Sequence, residues 1–375
     1  MRRILFLTGA IVLVDTLFFS ALTPLLPHYT EQFGLGKGGA GFLAACYPLG
    51  AFVGAIPSGI VVTRLGVKPT VLVGLLGVAV MTAAFGVASS VWELDATRFC
   101  QGLASSFSWT GALTWLVASS PPGRRGRLIG QAFAAAIAGA LLGPALGGVA
   151  SVAGTGWTFG LVAIASLGVA VRAAATPSAK PGHPQPLIEL LRAFRDRRVV
   201  ISVWLVILPA LLFGSLGVLG PLRLSDLGFG AIAIGAVWLI ACALEAGNNV
   251  LIGHLTDRHG PLAPVRIGLI TTAIATFVLP WPGNRFVVAV VIIFAALSFG
   301  TFYTPGMTLL THAAEDRGLE YGYAFALINL AWAPGQSGGS ALGGALAQLT
   351  SDAVTYVGLG VLALATFVAL RRVSL

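Results

Sequence analysis

Gly139-Ala140-Leu141-Leu142-Gly143-Pro144-Ala145-Leu146-Gly147-Gly148 lies within an apolar run and is answered 196 residues later by Gly335-Gln336-Ser337-Gly338-Gly339-Ser340-Ala341-Leu342-Gly343-Gly344. Both stretches read Gly-x3-Gly and close on a Gly-Gly pair. A second match stands at nearly the same shift: Gly59-Ile60-Val61-Val62-Thr63-Arg64-Leu65-Gly66-Val67-Lys68 and Gly253-His254-Leu255-Thr256-Asp257-Arg258-His259-Gly260 are 194 residues apart. Two matches at almost one shift, in corresponding places, imply two like halves joined in tandem.

Composition says what the halves are made of. Of 375 residues 57% are apolar and 9% charged, against about 25% charged in a soluble domain. So few charges cannot cover a surface in water, and lipid must cover most of the outside. The net charge of +9 does not point to nucleic acid, because the basic residues punctuate apolar runs instead of forming a patch. Cys46, Cys100 and Cys242 all sit in apolar runs, which excludes a disulfide scaffold and a zinc site. Met1-Arg2-Arg3 begins like a signal peptide, but Asp15 interrupts the apolar stretch and no small-x-small site follows, so it reads as the first membrane span.

A crossing helix needs roughly 20 apolar residues. The runs that qualify are 4–26, 41–63, 69–91, 96–118, 128–150 and 157–174, then 200–222, 231–253, 265–283, 287–311, 321–347 and 353–370. The expected fold is therefore all-α, a polytopic membrane protein with twelve transmembrane helices in two pseudo-symmetric six-helix bundles. They occupy 1–174 and 200–375, joined by a linker over 175–199. Eighteen lysines and arginines fall on the side of Met1 and three, Lys37, Arg223 and Arg285, on the other. That asymmetry predicts cytoplasmic termini. In the linker, Pro177, Pro181, Pro184 and Pro186 read as extended chain. Leu187, Leu190, Leu191 and Phe194 then recur at helical spacing, as in a short helix lying on the membrane surface.

With two halves and these motifs in view, the whole chain resembles the major facilitator superfamily, in particular its twelve-span drug:proton antiporters. The segment Gly59, Arg64, Gly66, Lys68 resembles that family's G-x3-D-R-x-G-[RK]-[RK] loop, which implies a latch between the halves. Thr63 stands where the family has its acid, whereas the second copy, Gly253 and Gly260 around Asp257 and Arg258, keeps the acidic residue. Gly139, Gly143, Pro144, Gly147 and Gly148 match the family's exporter pattern. Glycines one turn apart let a neighbouring helix approach closely and Pro144 bends its own helix, as a seam between rocking bundles would require. Arg98, Gln101 and Gly102 resemble the R-x2-Q-G segment, whose implied role is proton transfer.

Ionisable groups inside the bilayer are costly and are the first functional candidates. Asp15 lies about 16 Å into the first span, near the midplane. Phe18 and Phe19 follow on its face, an arrangement suited to a proton carrier or to an organic cation held by charge and ring faces. A structural hydrogen bond is the alternative role. Arg98 can bias a carboxylate, or can instead snorkel to the headgroups. Glu245 shares a face with Asn248 and Asn249 and is expected at the cavity or between the halves. Tyr47, Trp109, Trp115, Trp204, Phe213, Phe299, Phe302, Tyr303 and Trp332 supply rings for a binding chamber, and Phe18, Phe19, Tyr47, Trp109 and Tyr303 are the leading cavity aromatics.

Neither a His-Glu-x2-His nor a Gly-x4-Gly-Lys sequence is present, which argues against an enzyme and against direct drive by ATP. The reading that results is a secondary-active, proton-coupled exporter of small organic or drug-like molecules. It works by alternating access, with protonation of Asp15 or Glu245 exchanged against a cationic or amphipathic substrate. A facilitator-type importer of a sugar, organic acid or other nutrient is the competing reading, and a non-transporting sensor the third. Neither a cofactor nor a metal is expected. The partners are protons, substrate and lipid, and the protein is expected as a monomer in the cytoplasmic membrane.

Overall fold

The computed structural model describes residues 2–121, 125–179, 187–319 and 321–371. Among these, twelve long helices and one short helix make up the molecule. The first half holds α1 (Arg2–Phe33), α2 (Lys37–Leu65), α3 (Val67–Gly86), α4 (Val91–Ala118), α5 (Arg125–Ala153) and α6 (Thr155–Ala175). After α7 (Leu187–Ala193), the second half holds α8 (Arg197–Asp226), α9 (Ala231–His259), α10 (Leu262–Val278), α11 (Arg285–Asp316), α12 (Tyr321–Leu349) and α13 (Asp352–Leu370). Nine of these helices are long and apolar enough to cross a membrane by composition alone. Of the other three, α10 is apolar but has 17 residues. In α4 the polar residues Arg98, Gln101, Ser105 and Ser108 are buried inside the protein, where they lower its hydropathy without meeting lipid. Ser337 and Ser340 are likewise buried in α12.

The two halves pack alike. Helix α1 lies on α5 as α8 lies on α12, α2 on α4 as α9 on α11, and α3 on α4 and α6 as α10 on α11 and α13. Between the halves the relation is exchanged: α2 runs along α12, and α5 along α9. Helix ends repeat as well. Gly34 and Gly66 take φ of 63° and 91°, and Gly228 and Gly260, 194 residues later, take 88° and 77°. These are left-handed values that favour glycine, so Gly66 and Gly260 of the loop motif are helix terminators.

The glycine motifs divide their work in a way the sequence did not indicate. Side chains added at Gly139, Gly143 and Gly147 would collide with the α1 carbonyl oxygens of Leu13, Leu17 and Ala21; at Gly335 and Gly339 they would strike those of Ile207 and Leu211 on α8, and at Gly343 the Ser215 hydroxyl. The stripe thus seals each bundle internally and is not the seam between bundles. The last glycine of each pair faces across: Gly148 lies against Ile232 of α9, and Gly344 against Lys37 and Gly41 of α2. Pro144 also turns its carbonyl towards Gly235 of α9. Gly143→Leu must therefore push α1 and α5 apart, and overpacking of this kind costs about 1–3 kcal/mol. A β-carbon at Gly148 would stand 3.4 Å from Ile232 Cα, in ordinary contact. Melting of the purified variants should show a clear loss for Gly143→Leu and a near wild-type value for Gly148→Ala. Equal melting would remove the α1–α5 seal from the argument.

The face that carries Arg2 and the linker is called here the terminal face. At the opposite face Lys37 Nζ pairs with Asp352 at 2.5 Å and the Gly38 N–H donates to Gln348 Oε1 at 2.6 Å, so α2 is tied there to α12 and α13. On the terminal face α7 docks on the second half. Leu190 and Ala193 are buried with Val199, Val203, Leu310 and Leu327, whereas Leu191 and Phe194 are exposed. The expected single apolar stripe is therefore split, because Leu190 finds protein rather than lipid; the Leu187 side chain and the linker from 180 to 186 lie outside the described residues.

Asp196 caps α8 by accepting the Arg198 N–H at 2.9 Å and takes two hydrogen bonds from Arg317, at 2.9 and 2.6 Å. The Arg198 amide first and the Arg317 side chain second hold its carboxyl below the usual range. A lowered folded value means the stabilisation is complete above the unfolded value near about 4 and is lost as pH falls through the folded one. Asp196→Asn keeps a capping oxygen, and should flatten the acid limb of stability against pH relative to wild type.

Candidate functional site

Three helices of the first half converge on Asp15. Gly50 of α2 and Gly102 of α4 bring those helices into backbone contact, since a side chain at either would strike the Phe99 or Tyr47 carbonyl oxygen. That approach sets Tyr47 beside the face of α4 that carries Arg98, Gln101, Ser105 and Trp109, residues three and four apart and so on one side of the helix. Helix α1 supplies Asp15, which is 5% exposed. Its Oδ2 accepts from Tyr47 Oη at 2.9 Å, Ser105 Oγ at 2.8 Å and Trp109 Nε1 at 2.6 Å. Its Oδ1 is buried without a hydrogen-bond partner.

About two turns back along α4 from Ser105, Arg98 is 1% exposed. The snorkelling expectation therefore fails: the guanidinium points into the protein, where four rings receive it. Its centre stands 4.9 Å from the Tyr47 ring, 5.5 Å from Phe18, 5.7 Å from Phe85 and 6.0 Å from Phe19. It donates to the Phe19 carbonyl at 3.3 Å and weakly to Gln101 Oε1 at 3.5 Å. Arg98 Nε and Gln101 Nε2 are buried without partners, and Arg98 takes part in none of the ion pairs among the described residues. Cation and ring attraction is electrostatic and strengthens away from water, which explains how this charge is tolerated without a carboxylate.

Tyr47 belongs to both groups, its hydroxyl on Asp15 and its ring under Arg98. The Phe19 ring stands 5.0 Å from Tyr47 and 5.5 Å from Trp332 of α12, so a line of rings leads from the buried charges to the other half. Phe18 does otherwise. It stacks edge-on with Phe85 and Phe159 at 5.8 and 5.0 Å in the core of the first half, and belongs to packing rather than to a chamber. Trp109 meets Phe133 of α5 at 5.9 Å. Sequence reading missed Ser105, although its place four residues beyond Gln101 and four before Trp109 marks it on the same face.

Glu245 does not join this cluster. It lies against Gly300 of α11, and the Asn248 amide donates to Thr301 at 3.1 Å while Thr304 donates to Asn249 at 2.8 Å. These polar groups stitch α9 to α11 within the second half, so the expectation of a place between the halves is corrected. The partners of the two asparagines are threonines of their own bundle. Tyr303 of α11 packs with the terminal-face cluster around Leu310 and Leu327, away from Asp15. The scaffold repeats but the charges do not: the shift of 194 that relates α1 to α8 puts Pro209 where α1 has Asp15.

In the loop motifs Thr63 bonds back to the Gly59 and Ile60 carbonyls at 3.2 and 3.0 Å, and Arg64 and Arg258 are exposed. The Asp257 side chain, on which the second latch would depend, lies outside the described residues, and Gly253 has open space around it.

Comparison with known proteins agrees with this architecture. The family model described as Major Facilitator Superfamily matches residues 8–335 and 249–374. The chain is 27% identical over 316 residues to an uncharacterized MFS-type transporter, YceJ, of Bacillus subtilis (strain 168), covering 82% of this chain and 78% of that one. Among solved structures, a D-xylose-proton symporter superposes with a TM-score of 0.77 at 18% identity, over 97% of this chain and 96% of the other. The human organic anion transporter MFSD10 (TETRAN) gives 0.75 at 18% identity, over 98% and 99%. At such identities the likeness is one of fold.

Proposed function

The chain belongs to the Major Facilitator Superfamily, and from that premise we propose that it is a proton-coupled exporter of small organic, amphipathic molecules. The halves 1–174 and 200–375 rock about the midplane in alternating access, with the terminal face in the cytoplasm. The observation that carries this reading is the state of Asp15. Three donors fix Oδ2, and the second oxygen is left open inside the protein. A carboxyl held in this way has one place for a proton, Oδ1, and gains or loses its charge there without moving.

That charge acts on its neighbours. In a medium of low dielectric constant, a change at Asp15 is felt at Arg98 and through Tyr47. Phe19 stands between Tyr47 and Trp332, so the ring line offers a route from protonation to the contact between halves. Since Arg98 already occupies the faces of Phe18, Phe19, Tyr47 and Phe85, the rings left for substrate are Trp109 and Trp332. Glu245 with Asn249 is kept as a second polar site within the second half, and Lys37 with Asp352 as the tie that opens when the opposite face does.

A second reading draws on Arg98 itself. A buried guanidinium without a carboxylate partner suits an organic acid, and hence an importer that carries proton and anion together. Purified protein in liposomes with an internal pH dye separates the two: under an imposed gradient, added substrate should drive protons against its own movement in an exporter and with it in an importer. The Tyr47→Phe variant tests the ring line. It keeps the ring over Arg98 and removes one hydrogen bond to Asp15, a bond to a charged group worth about 1.5–3 kcal/mol. Coupled transport should fall about 10- to 100-fold, with yield close to wild type and a modest loss in melting temperature. Unchanged coupling would mean that Tyr47 only packs.

A further inference from the structure

On the outer surface of the first half a cleft of ≈ 470 Å³ opens between α1 and α6 near the terminal face. Its lining is ordered by depth, because the helices run antiparallel. Towards the terminal face stand Arg3 of α1 and Arg172 of α6, with Ala175, Thr176 and Pro177 beyond Arg172; Ala10 and Ala165 lie furthest from that face, with Phe6 and Gly168 among the residues between. Seven residues separate Arg3 from Ala10 and Arg172 from Ala165, about 10 Å at the rise of an α-helix. Neither arginine takes part in an ion pair among the described residues, and both are exposed. Phe6 is 79% exposed, and a β-carbon at Gly168 would meet open space.

We propose that this cleft binds one anionic glycerophospholipid from the leaflet at the terminal face. The phosphate-bearing headgroup sits between Arg3 and Arg172, and the start of an acyl chain runs inward past Phe6 and Gly168 to Ala10 and Ala165. Two unpaired cations at a rim placed where headgroups lie select an anion, and the apolar depth beneath them selects an amphiphile over a free phosphate. The site lies away from Asp15 and does not depend on the direction of transport. It would hold α1, the helix of Asp15, to α6 through a lipid.

Native mass spectrometry of the full chain released from detergent tests this, with phosphatidylglycerol, phosphatidylcholine and glycerol phosphate as probes. The first phosphatidylglycerol should bind at least about tenfold more tightly than phosphatidylcholine, since each arginine contributes roughly fivefold towards an anionic headgroup. Arg3→Gln with Arg172→Gln should reduce that ratio to near one. Arg195→Gln with Arg198→Gln, which removes the same charge from the same face outside the cleft, should leave it intact. Gly168→Leu fills the depth while keeping both arginines, and should weaken the binding of both lipids. A preference that survives loss of Arg3 and Arg172, or that falls equally with Arg195 and Arg198, overturns the proposal. Full competition by glycerol phosphate would do so too, because it would mark a bare anion site.

Discussion

Asp15→Asn should yield a folded protein that no longer couples proton movement to transport. Asparagine keeps the shape of the side chain and an oxygen for the Tyr47, Ser105 and Trp109 donors, so the contacts that bind α1 to α2 and α4 remain. It places an amide nitrogen where Oδ1 now lies without a partner, and that position can then neither take up nor release a proton. Coupled flux in liposomes should fall at least about 100-fold, the scale on which loss of a positioned acid–base group acts. Substrate-for-substrate counterflow, which needs no net proton movement, should persist. If Asp15 is only a structural bond, asparagine serves nearly as well and proton-driven transport stays near wild type. That outcome would move the proton to Glu245.

The second large effect concerns Arg98, and stability and activity should part company there. A buried cation without a carboxylate partner bears a desolvation cost of several kcal/mol, which the four surrounding rings and the Phe19 carbonyl offset only in part. Methionine has a similar reach, packs well against aromatic rings and carries no charge. Arg98→Met should therefore raise the melting temperature, with a gain of about 1–4 kcal/mol as seen when buried charges give way to apolar residues, while abolishing coupled transport. Arg98→Lys keeps the charge but loses the planar group that lies among the rings, and should lose both stability and activity. A methionine variant that melts lower than wild type would show that the guanidinium is a net structural tie. One that transports normally would remove Arg98 from the coupling.

These expectations combine what the residues showed alone with what the arrangement added. Asp15 and Arg98 stood out because charge inside an apolar span is rare and costly. Their relation did not. Periodicity places Arg98, Gln101, Ser105 and Trp109 on one face of a helix, but it does not say which neighbour that face meets. Snorkelling and burial predict the same sequence for Arg98, and only the positions of Phe18, Phe19, Tyr47 and Phe85 around it decide between them. The Gly139 stripe reads equally well as a seam within a bundle or between bundles, since a small residue records that something comes close and not what it is. Glu245 was legible as a polar group needing shelter, whereas the residue it lies against, Gly300 of α11, is 55 residues away in the chain.

The sequence by itself determined the class of molecule, the six-plus-six helices, the repeat and the presence of two charges within apolar spans. Each follows from local quantities: apolar run length against bilayer thickness, the spacing of like motifs, and the cost of charge in lipid. Only the tertiary structure decided that Tyr47 joins Asp15 to Arg98, that Gly143 seals α5 to α1 while Gly148 faces α9, and that Phe19 reaches Trp332 in the other half. In a membrane protein nearly every helix is apolar on all sides, so the pattern that orients a helix in water is faint. Which faces meet is then set by close packing of small residues and by the few polar groups that must find one another, and both depend on all twelve helices at once.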